Sequence, residues 1–373
     1  MKEGKHKLRF KVGDGTHAYN SVNNALGYAG FAQTDANNWN VLWSAPLKPE
    51  NLEKFDSYKH CNHFAGTWNL GRKDFMYRHI NLLQREFGDQ FNFCPKTWIL
   101  PFDYSAFQTE RKESEGLHKL WILKPANSAC GNGIRLINRR SKLPKASKEQ
   151  YVVSKYLMRP HLIHSHKYDM RIYVLVTSYD PLTIYVYQEG LVRFATQAYS
   201  TKNKGSKFCH LTNFAVNKKN KKFVKPKSTN PNQPSGEEEE ENSSKWSLST
   251  LRAWFKREGL DFETIWVKIK DMIVKTCLSV EHILAYNLSR AGHGRRLCYE
   301  IFGFDVILDH NLRPWLLEVN TLPSLSSSSE LDKRIKTSLM SDTFNTLGIT
   351  PYNKKNLEKS QANVRWKRFV GLN

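Results

Sequence analysis

Apolar residues recur at helical spacing after Lys73, at Phe75, Met76, Ile80, Leu83 and Phe87, and Gly88 supplies a stop, so a helix with one buried face is predicted over 73–87. Short β-branched and aromatic runs then follow at 97–101, 120–125, 133–137, 151–157, 169–179, 183–187 and 190–195. They predict strands, with turns at Asp180-Pro181 and Glu189-Gly190. Residues 217–245 break this rhythm with six lysines between Lys218 and Lys227, a Ser, Thr, Asn and Pro stretch, and five consecutive glutamates at 237–241. That composition predicts a disordered surface insertion at about 222–244. Helices are expected again at about 246–258 and 263–288, the second with Ile265, Ile269 and Ile273 on one face, and at 332–346. Between them, 298–309 and 314–320 read as two more strands. Residues 1–62 show little periodicity and are expected to be irregular, with no chemistry assigned to them.

A chain of 373 residues outgrows one hydrophobic core, so two or three packed subdomains are expected. Hydrophobic residues at 40% and charged residues at 25% exclude a mainly disordered, collagen-like or coiled-coil chain. No run reaches a membrane span, and charges occupy the place of a signal peptide's apolar core, so a cytosolic or nuclear home is expected. The six cysteines form no CxxC pair and are expected to be free thiols. The net charge of +22 changes the picture more, because such a field attracts polyanions of whatever kind. From Lys333 onward, nine Lys or Arg stand against Asp342 and Glu358, which adds a basic tail to that field.

Three constellations carry candidate chemistry. If the hairpin formed by 298–309 and 314–320 is symmetric, Asp305 lies directly opposite Glu318, and like charges there are destabilising without a compensating cation. Asn320 shares the face of Glu318, giving three oxygen donors suited to Mg²⁺; the alternative is a solvated sheet face. Lys124 ends an apolar strand before a loop of small residues with Gly131 and Gly133, which could cradle phosphates or be a Gly-rich turn beside a snorkelling lysine. It matches neither the P-loop nor the GxGxxG fingerprint. Lys167, Asp169, Arg171 and Arg193, with the run His210, Leu211, Thr212 and Asn213, form a polar cluster at strand ends, where a guanidinium could hold a carboxylate or serve structural ion pairing. The histidines at 60–63 and 161–166 match no standard zinc spacing.

A lysine, a Gly-rich hairpin and a carboxylate, carboxylate and Asn metal site on antiparallel strands resemble the ATP-grasp ligases. Within that superfamily, WILKPANSACGNGI, VVSKYL, KYDMRIYVLVTSYDPL, GLVRFAT, FCHLTNFAVNKKN, FGFDVILD and PWLLEVNTLPSL are similar, in order, to the motifs of the tubulin tyrosine ligase-like family over roughly 60–350. NHFAGTWNLGRKD and the EVN-xx-PSL ending look most like its polyglutamylase branch. The resemblance implies an α/β (α+β) ATP-grasp architecture, antiparallel sheets with flanking helices enclosing an ATP site. It divides the chain into a small N-terminal domain over 1–72, a central subdomain over 73–157, a C-terminal subdomain over 158–350 and a basic tail over 351–373.

It also implies roles. Lys124, Cys130 and Gly131 would lie on the ATP phosphates; Ser154, Lys155, Tyr156 and Leu157 would form the adenine hinge; Lys167, Tyr168, Asp169, Thr212 and Asn213 would complete the nucleotide pocket. Arg193 would bind the incoming amino acid's carboxylate, with Phe214, Ala215, Lys245 and Thr321 lining its pocket, and Asp305, Glu318 and Asn320 would hold Mg²⁺. Lys124, Arg193 and Glu318 would be catalytic. Three positions depart from the family pattern: Cys130 replaces Arg, Lys or Gln, and Phe214-Ala215 replaces Tyr-Ser, which puts donor choice and turnover in doubt. The implied activity is ATP-dependent polyglutamylation of tubulin C-terminal tails through an acyl phosphate. The implied partners are tubulin or microtubules and free L-glutamate, without nucleic acid or membrane, and the chain would be a cytoplasmic, microtubule-associated monomer, with cilium or basal body as further sites. The rivals are a small-molecule carboxylate-amine ligase, a catalytically weak microtubule-binding relative, and a glycine or tyrosine ligase of the same family.

Overall fold

The computed structural model describes residues 8–17, 19–55, 59–114, 119–128, 131–144, 149–225, 240–290 and 297–349. Cys130, residues 237–239 of the glutamate run and the basic tail over 351–373 lie outside the described residues. Among the described residues, fourteen strands build three sheets. Strands β1 (Arg9–Val12), β2 (Ala32–Gln33), β3 (Val41–Trp43) and β4 (His60–Cys61) form a parallel sheet in the order β2-β1-β3-β4. Strands β5 (Thr97–Leu100), β6 (Trp121–Pro125), β7 (Arg135–Ile137) and β8 (Tyr151–Lys155) form an antiparallel sheet in the order β5-β8-β6-β7. The main sheet is antiparallel, β12-β11-β10-β13-β14, with β9 (Leu162–Ile163) paired to one end of β10 (His166–Tyr179); β11 is Leu182–Phe194, β12 Lys245–Ser247, β13 Glu300–Leu308 and β14 Pro314–Asn320.

Period-2 alternation explains how the main sheet carries a core and a site together. On β10, Met170, Ile172, Val174 and Val176 enter the largest apolar cluster, which also holds Ile265, Ile269 and Ile273 of the helix Phe262–Leu278. On the other face, Tyr173 and Leu175 join a second cluster with the N-terminal Phe10, Val22 and Leu26 and with Ile335 and Leu339 of the helix Glu330–Leu347. Asp169 and Arg171 continue that second face beyond its apolar part, so the sheet changes from core to polar site along the strands. The central sheet packs Trp98, Trp121 and Leu123 on Phe107 of the helix Tyr104–Glu113.

The structure corrects four local expectations. The described part of residues 1–62 is not irregular: β1, β3 and the helix Asn20–Tyr28 share a core with the helix Glu330–Leu347, and β4 meets the main-sheet chain at the Cys61 to Cys298 bridge. Glu189-Gly190 is not a turn, because β11 runs through it past a register shift opposite 172–174; a Cβ at Gly190 would come within 2.5 Å of the Arg171 carbonyl oxygen, so close backbone approach selects glycine there. The expected helix at 263–288 is two, Phe262–Leu278 and Glu281–Arg290, interrupted where the Ser279 hydroxyl bonds the Thr276 carbonyl at 2.7 Å. The insertion begins and ends more tightly than 222–244, and Lys245 opens a strand rather than preceding a helix: Val224 and Ser244 exchange hydrogen bonds, and Glu240 is 1% exposed. Its carboxylate accepts from Ser247, Thr250 and Arg334, which accounts for a buried glutamate inside an acidic run.

Candidate active site

Register builds the site as two charged rows across the main sheet. Lys245 pairs with Arg193, and Arg193 with Asp169; one step along, Arg171 pairs with Asp305, and Asp305 with Glu318. The opposition of Asp305 and Glu318 is as expected, but it arises through a bulge rather than a symmetric turn. The pairs Leu308 to Pro314, Ile307 to Trp315 and Val306 to Leu316 would place Asp305 opposite Leu317, and one extra residue on β14 brings Glu318 there instead. The bulge also lets Leu316 and Val319 both face the core while Glu318 stays on the site face.

Each charge in these rows has a partner. Arg171 grips Asp305 through Nε to Oδ1 at 2.5 Å and Nη2 to Oδ2 at 3.1 Å, and Arg193 Nη2 lies 2.9 Å from Asp305 Oδ2. Arg193 also forks onto both carboxylate oxygens of Asp169. Burial alone would raise the Asp305 carboxyl, but the two guanidiniums outweigh it and hold the group well below the usual carboxylate range. Glu318 meets a different cation, Lys73 Nζ at 3.2 Å, and Lys73 also donates to the Ser128 carbonyl of the expected phosphate loop at 2.9 Å.

Around these rows lies a cavity of about 70 Å³ lined by Lys124, Ser154, Lys155, Tyr156, Leu157, Lys167, Asp169, Thr212, Asn213, Asp305 and Glu318, eleven of the residues expected in the site. Ile122, Ile134, Ile307 and Leu317 give it apolar walls. A second cavity of about 760 Å³ adjoins it, sharing Pro95, Lys155, Tyr156 and Leu157. Lys167 Nζ donates to the His210 carbonyl at 2.9 Å and to the Tyr156 hydroxyl at 3.3 Å. Burial lowers its pKa to about 8, with Asp169 partly opposing the shift. Burial also lowers Lys124, against the carboxylates of Glu318 and Asp305 and with the repulsion of Lys73. Gly131 sits at φ 76°, and a Cβ there would meet Val216 at 3.0 Å and Asn213 Oδ1 at 3.3 Å, so the loop after Lys124 closes against the Thr212-Asn213 wall.

Other expected residues lie elsewhere. Tyr168 projects to the opposite sheet face, 1% exposed, with its hydroxyl 2.9 Å from His161 Nδ1, so its side chain does not line the cavity. Thr321 lines a separate small pocket with Tyr19, Asn62 and His63, and Asn320 Nδ2 donates to the Gly303 carbonyl at 3.1 Å. Phe214 lies under Lys245, whose Nζ is 4.4 Å from the ring centroid; Ala215 follows in the same short helix, Phe214–Asn217. Lys245 is not a free cation, since Nζ contacts Asp332 Oδ2 at 2.7 Å. Asp332 also faces Lys336 at 3.3 Å; burial would raise its carboxyl, but Lys336 and Lys245 bring it down to about 2.

Sequence reasoning missed Lys73, Asp332 and Lys336 as members of this charge network. The first sits in the NLGRKD motif, and the others lie at i, i+4 spacing on one helix face, a pattern common enough on surface helices to carry no signal. For a metal, the available donors are the carboxylates of Asp305 and Glu318 and the amide oxygen of Asn320, a hard-oxygen set appropriate to Mg²⁺. Among the described residues, no group of three or more His, Cys, Asp or Glu could hold a metal ion.

Antiparallel sheets with flanking helices around this cavity make the fold α/β of the ATP-grasp type. The chain belongs to the tubulin-tyrosine ligase family, whose model matches residues 51–358. It is 38% identical over 364 residues to tubulin monoglutamylase TTLL4 of Homo sapiens, covering 96% of this chain and 29% of that protein. It is 39% identical over 315 residues to tubulin polyglutamylase TTLL5 of Mus musculus (83% and 23%), and 36% identical over 362 residues to tubulin polyglutamylase TTLL13 of Mus musculus (94% and 43%). The chain therefore spans between about a quarter and under half of the length of these relatives.

Proposed function

We propose that the chain is an ATP-dependent ligase that joins free glutamate to glutamate side chains of tubulin's acidic C-terminal tails. The observation that carries the reading is the convergence of Lys124, Lys167, Asp169, Asp305 and Glu318 on one cavity between two antiparallel sheets. The relatives' names supply the substrate class, since they include both a tubulin monoglutamylase and tubulin polyglutamylases. In the reaction, the acceptor's side-chain carboxylate takes the γ-phosphoryl group of ATP and releases ADP. The donor's amine then attacks the acyl carbon, loses a proton and expels phosphate, forming an isopeptide bond.

Lys124 and Lys167 offset phosphate charge in a water-poor cavity, where fixed cations act more strongly than in solvent. Lys73, between the loop carbonyl and Glu318, is placed to hold the loop closed over the phosphates. Arg193 and Arg171 are fixed by Asp169 and Asp305, so their forks are pre-oriented for an incoming carboxylate. Asp305, Glu318 and Asn320 would hold Mg²⁺, which would supply Lewis-acid neutralisation of phosphate oxygens. The 70 Å³ cavity is below the roughly 300–1,000 Å³ usual for ligand pockets, so nucleotide entry separates the central sheet from the main sheet or extends into the larger adjoining cavity. A cytoplasmic, microtubule-associated site of action follows, with cilium and basal body among the microtubule arrays it would serve.

The test is incubation of the purified chain with microtubules, ATP, Mg²⁺ and labelled glutamate, followed by mass spectrometry of the tubulin tails. Additions of single or serial glutamyl units are expected. Faster incorporation of glycine or tyrosine at equal concentration overturns the donor, and no ATP-dependent addition to any tail overturns the reading.

A further inference from the structure

From Gly190 to Lys225 the chain contains no Asp or Glu but eight lysines, and none of the eight forms an ion pair among the described residues. The absence of any acidic residue over so long a stretch sets the segment apart from those surface cations that have a carboxylate nearby, such as Lys96 with Glu110, Lys275 with Asp271, and Arg257 with Glu241. The densest part is Lys218, Lys219, Lys221, Lys222 and Lys225, all exposed.

That stretch is held in place. Asn217, 1% exposed, accepts from the Thr196 backbone N–H at 2.9 Å and hydroxyl at 2.8 Å, and donates to the Leu211 carbonyl at 2.7 Å. Asn220 donates to the Thr196 hydroxyl at 2.9 Å. The lysines therefore project from a pinned turn that directly follows Thr212 and Asn213, which line the cavity. A line of contacts leads inward: Lys218 Nζ is 5.6 Å from the Phe214 ring centroid, the same ring lies 4.4 Å from Lys245 Nζ, and Lys245 pairs with Arg193. Aligned, unpaired ammonium groups at the mouth of a site create a field that draws in a polyanion.

We propose that the lysine strip over 218–225 is the docking surface for the acceptor, a glutamate-rich peptide whose carboxylates pair with these ammonium groups while one glutamate enters the site. The inference rests on the ligase reading for its partner, and on the charge pattern for its location. Its chemistry favours carboxylates over nucleic acid. The strip has no arginine, and both of its neighbouring rings, Phe214 and Phe223, are half-buried and packed edge to face on each other, which leaves little ring surface for bases to stack on. Lysines on flexible stems suit an acidic tail without one fixed conformation.

The experiment compares the full chain with a variant carrying Lys218→Ser, Lys219→Ser, Lys221→Ser and Lys222→Ser, all at exposed positions. Binding of a fluorescent glutamate-rich peptide is followed by anisotropy across a salt series without ATP, and initial rates are measured separately. The expected result is a peptide Kd and KM at least tenfold higher in the variant, a shallower salt dependence, and KM values for ATP and free glutamate within twofold of the parent. Unchanged peptide Kd and KM would overturn the proposal, as would a parent chain that fails to bind the peptide or binds an oligothymidylate of equal charge more tightly. Peptide binding that depends on the lysines, without glutamate addition, would sink the ligase reading and leave the docking surface standing.

Discussion

Asp305 and Glu318 face each other as the two carboxylates of one site, yet neutralising them should cost folding very unequally. Asp305 is 2% exposed and satisfies two buried guanidiniums, Arg171 at 2.5 Å and Arg193 at 2.9 Å. Asp305→Asn leaves Arg193 with Asp169 and takes from Arg171 the carboxylate it grips, and breaking a buried pair in this way costs about 3–5 kcal/mol. The Glu318 side chain is 18% exposed, with one ammonium partner at 3.2 Å, and that partner keeps its bond to the Ser128 carbonyl. Glu318→Gln should therefore cost about 0.2–1 kcal/mol. At about 2–4 °C per kcal/mol, the Asp305 variant should melt at least about 6 °C below the parent and the Glu318 variant within about 4 °C of it. Relief of carboxylate repulsion, a ground for expecting Glu318→Gln to stabilise the chain, is not anticipated, because Arg171, Arg193 and Lys73 already screen the pair. Glutamate incorporation should fall by about 100-fold or more in both variants, the scale of losing one fixed charge at a reacting centre. The assay is a thermal melt without ligands, run beside initial rates. Equal melting temperatures for the two variants would refute the partner assignment, and near-normal turnover in Glu318→Gln would refute its place in the reaction.

Two further outcomes follow from burial. Lys167 is lowered to about 8 from an ordinary value near 10.5, so its cationic form is lost as pH rises through 8; nucleotide affinity should weaken above that pH by at most about tenfold per unit, and Lys167→Arg should flatten the profile. The same shift makes Lys167's contribution to stability rise with pH between about 8 and 10.5, because the unfolded chain binds more protons there, so a calorimetric titration that found affinity and stability falling together would contradict it. Glu240→Gln, which leaves Ser247, Thr250 and Arg334 without their shared carboxylate, should cost about 1–3 kcal/mol in urea unfolding; an unchanged midpoint would return residue 240 to the solvated linker.

The parts of the fold that could be read from the sequence are those where one element's own periodicity decides its burial. The helix Lys73–Phe87 buries one face and shows it by helical spacing, and the strand His166–Tyr179 buries both faces and shows itself as a long β-branched and aromatic run. The N-terminal sheet gave no such signal because its strands are only two to four residues long and its buried Phe10, Val41 and Trp43 share a cluster with the helix Glu330–Leu347, more than 280 residues away in sequence. Gly190 was misleading for a related reason: glycine marks both turns and close backbone approaches, and only the Arg171 carbonyl oxygen, 2.5 Å from where a Cβ would sit, distinguishes them. Glu240 looked solvated because its run is acidic, while its burial depends on Arg334, a contact that no local pattern encodes.

The same distinction separates the legible part of the site from the rest. Asp305, Glu318 and Lys124 stood out because each interrupts or ends an apolar strand, where a charge demands a reason. Lys73, Asp332 and Lys336 lie on helices, where charges need none, yet their contacts complete the electrostatics. Lys73, Lys124, Lys167, Arg171, Arg193, Lys245 and Lys336 gather around Asp169, Asp305, Glu318 and Asp332, seven cations to four carboxylates. Such an excess is costly in the absence of anions, and burial adds to that cost, lowering both Lys167 and Lys336 to about 8 against the pull of Asp169 and Asp332. A triphosphate and the carboxylates of donor and acceptor would relieve it. The charge that makes this region a poor core is therefore what would make it selective for a reaction whose participants are all anions.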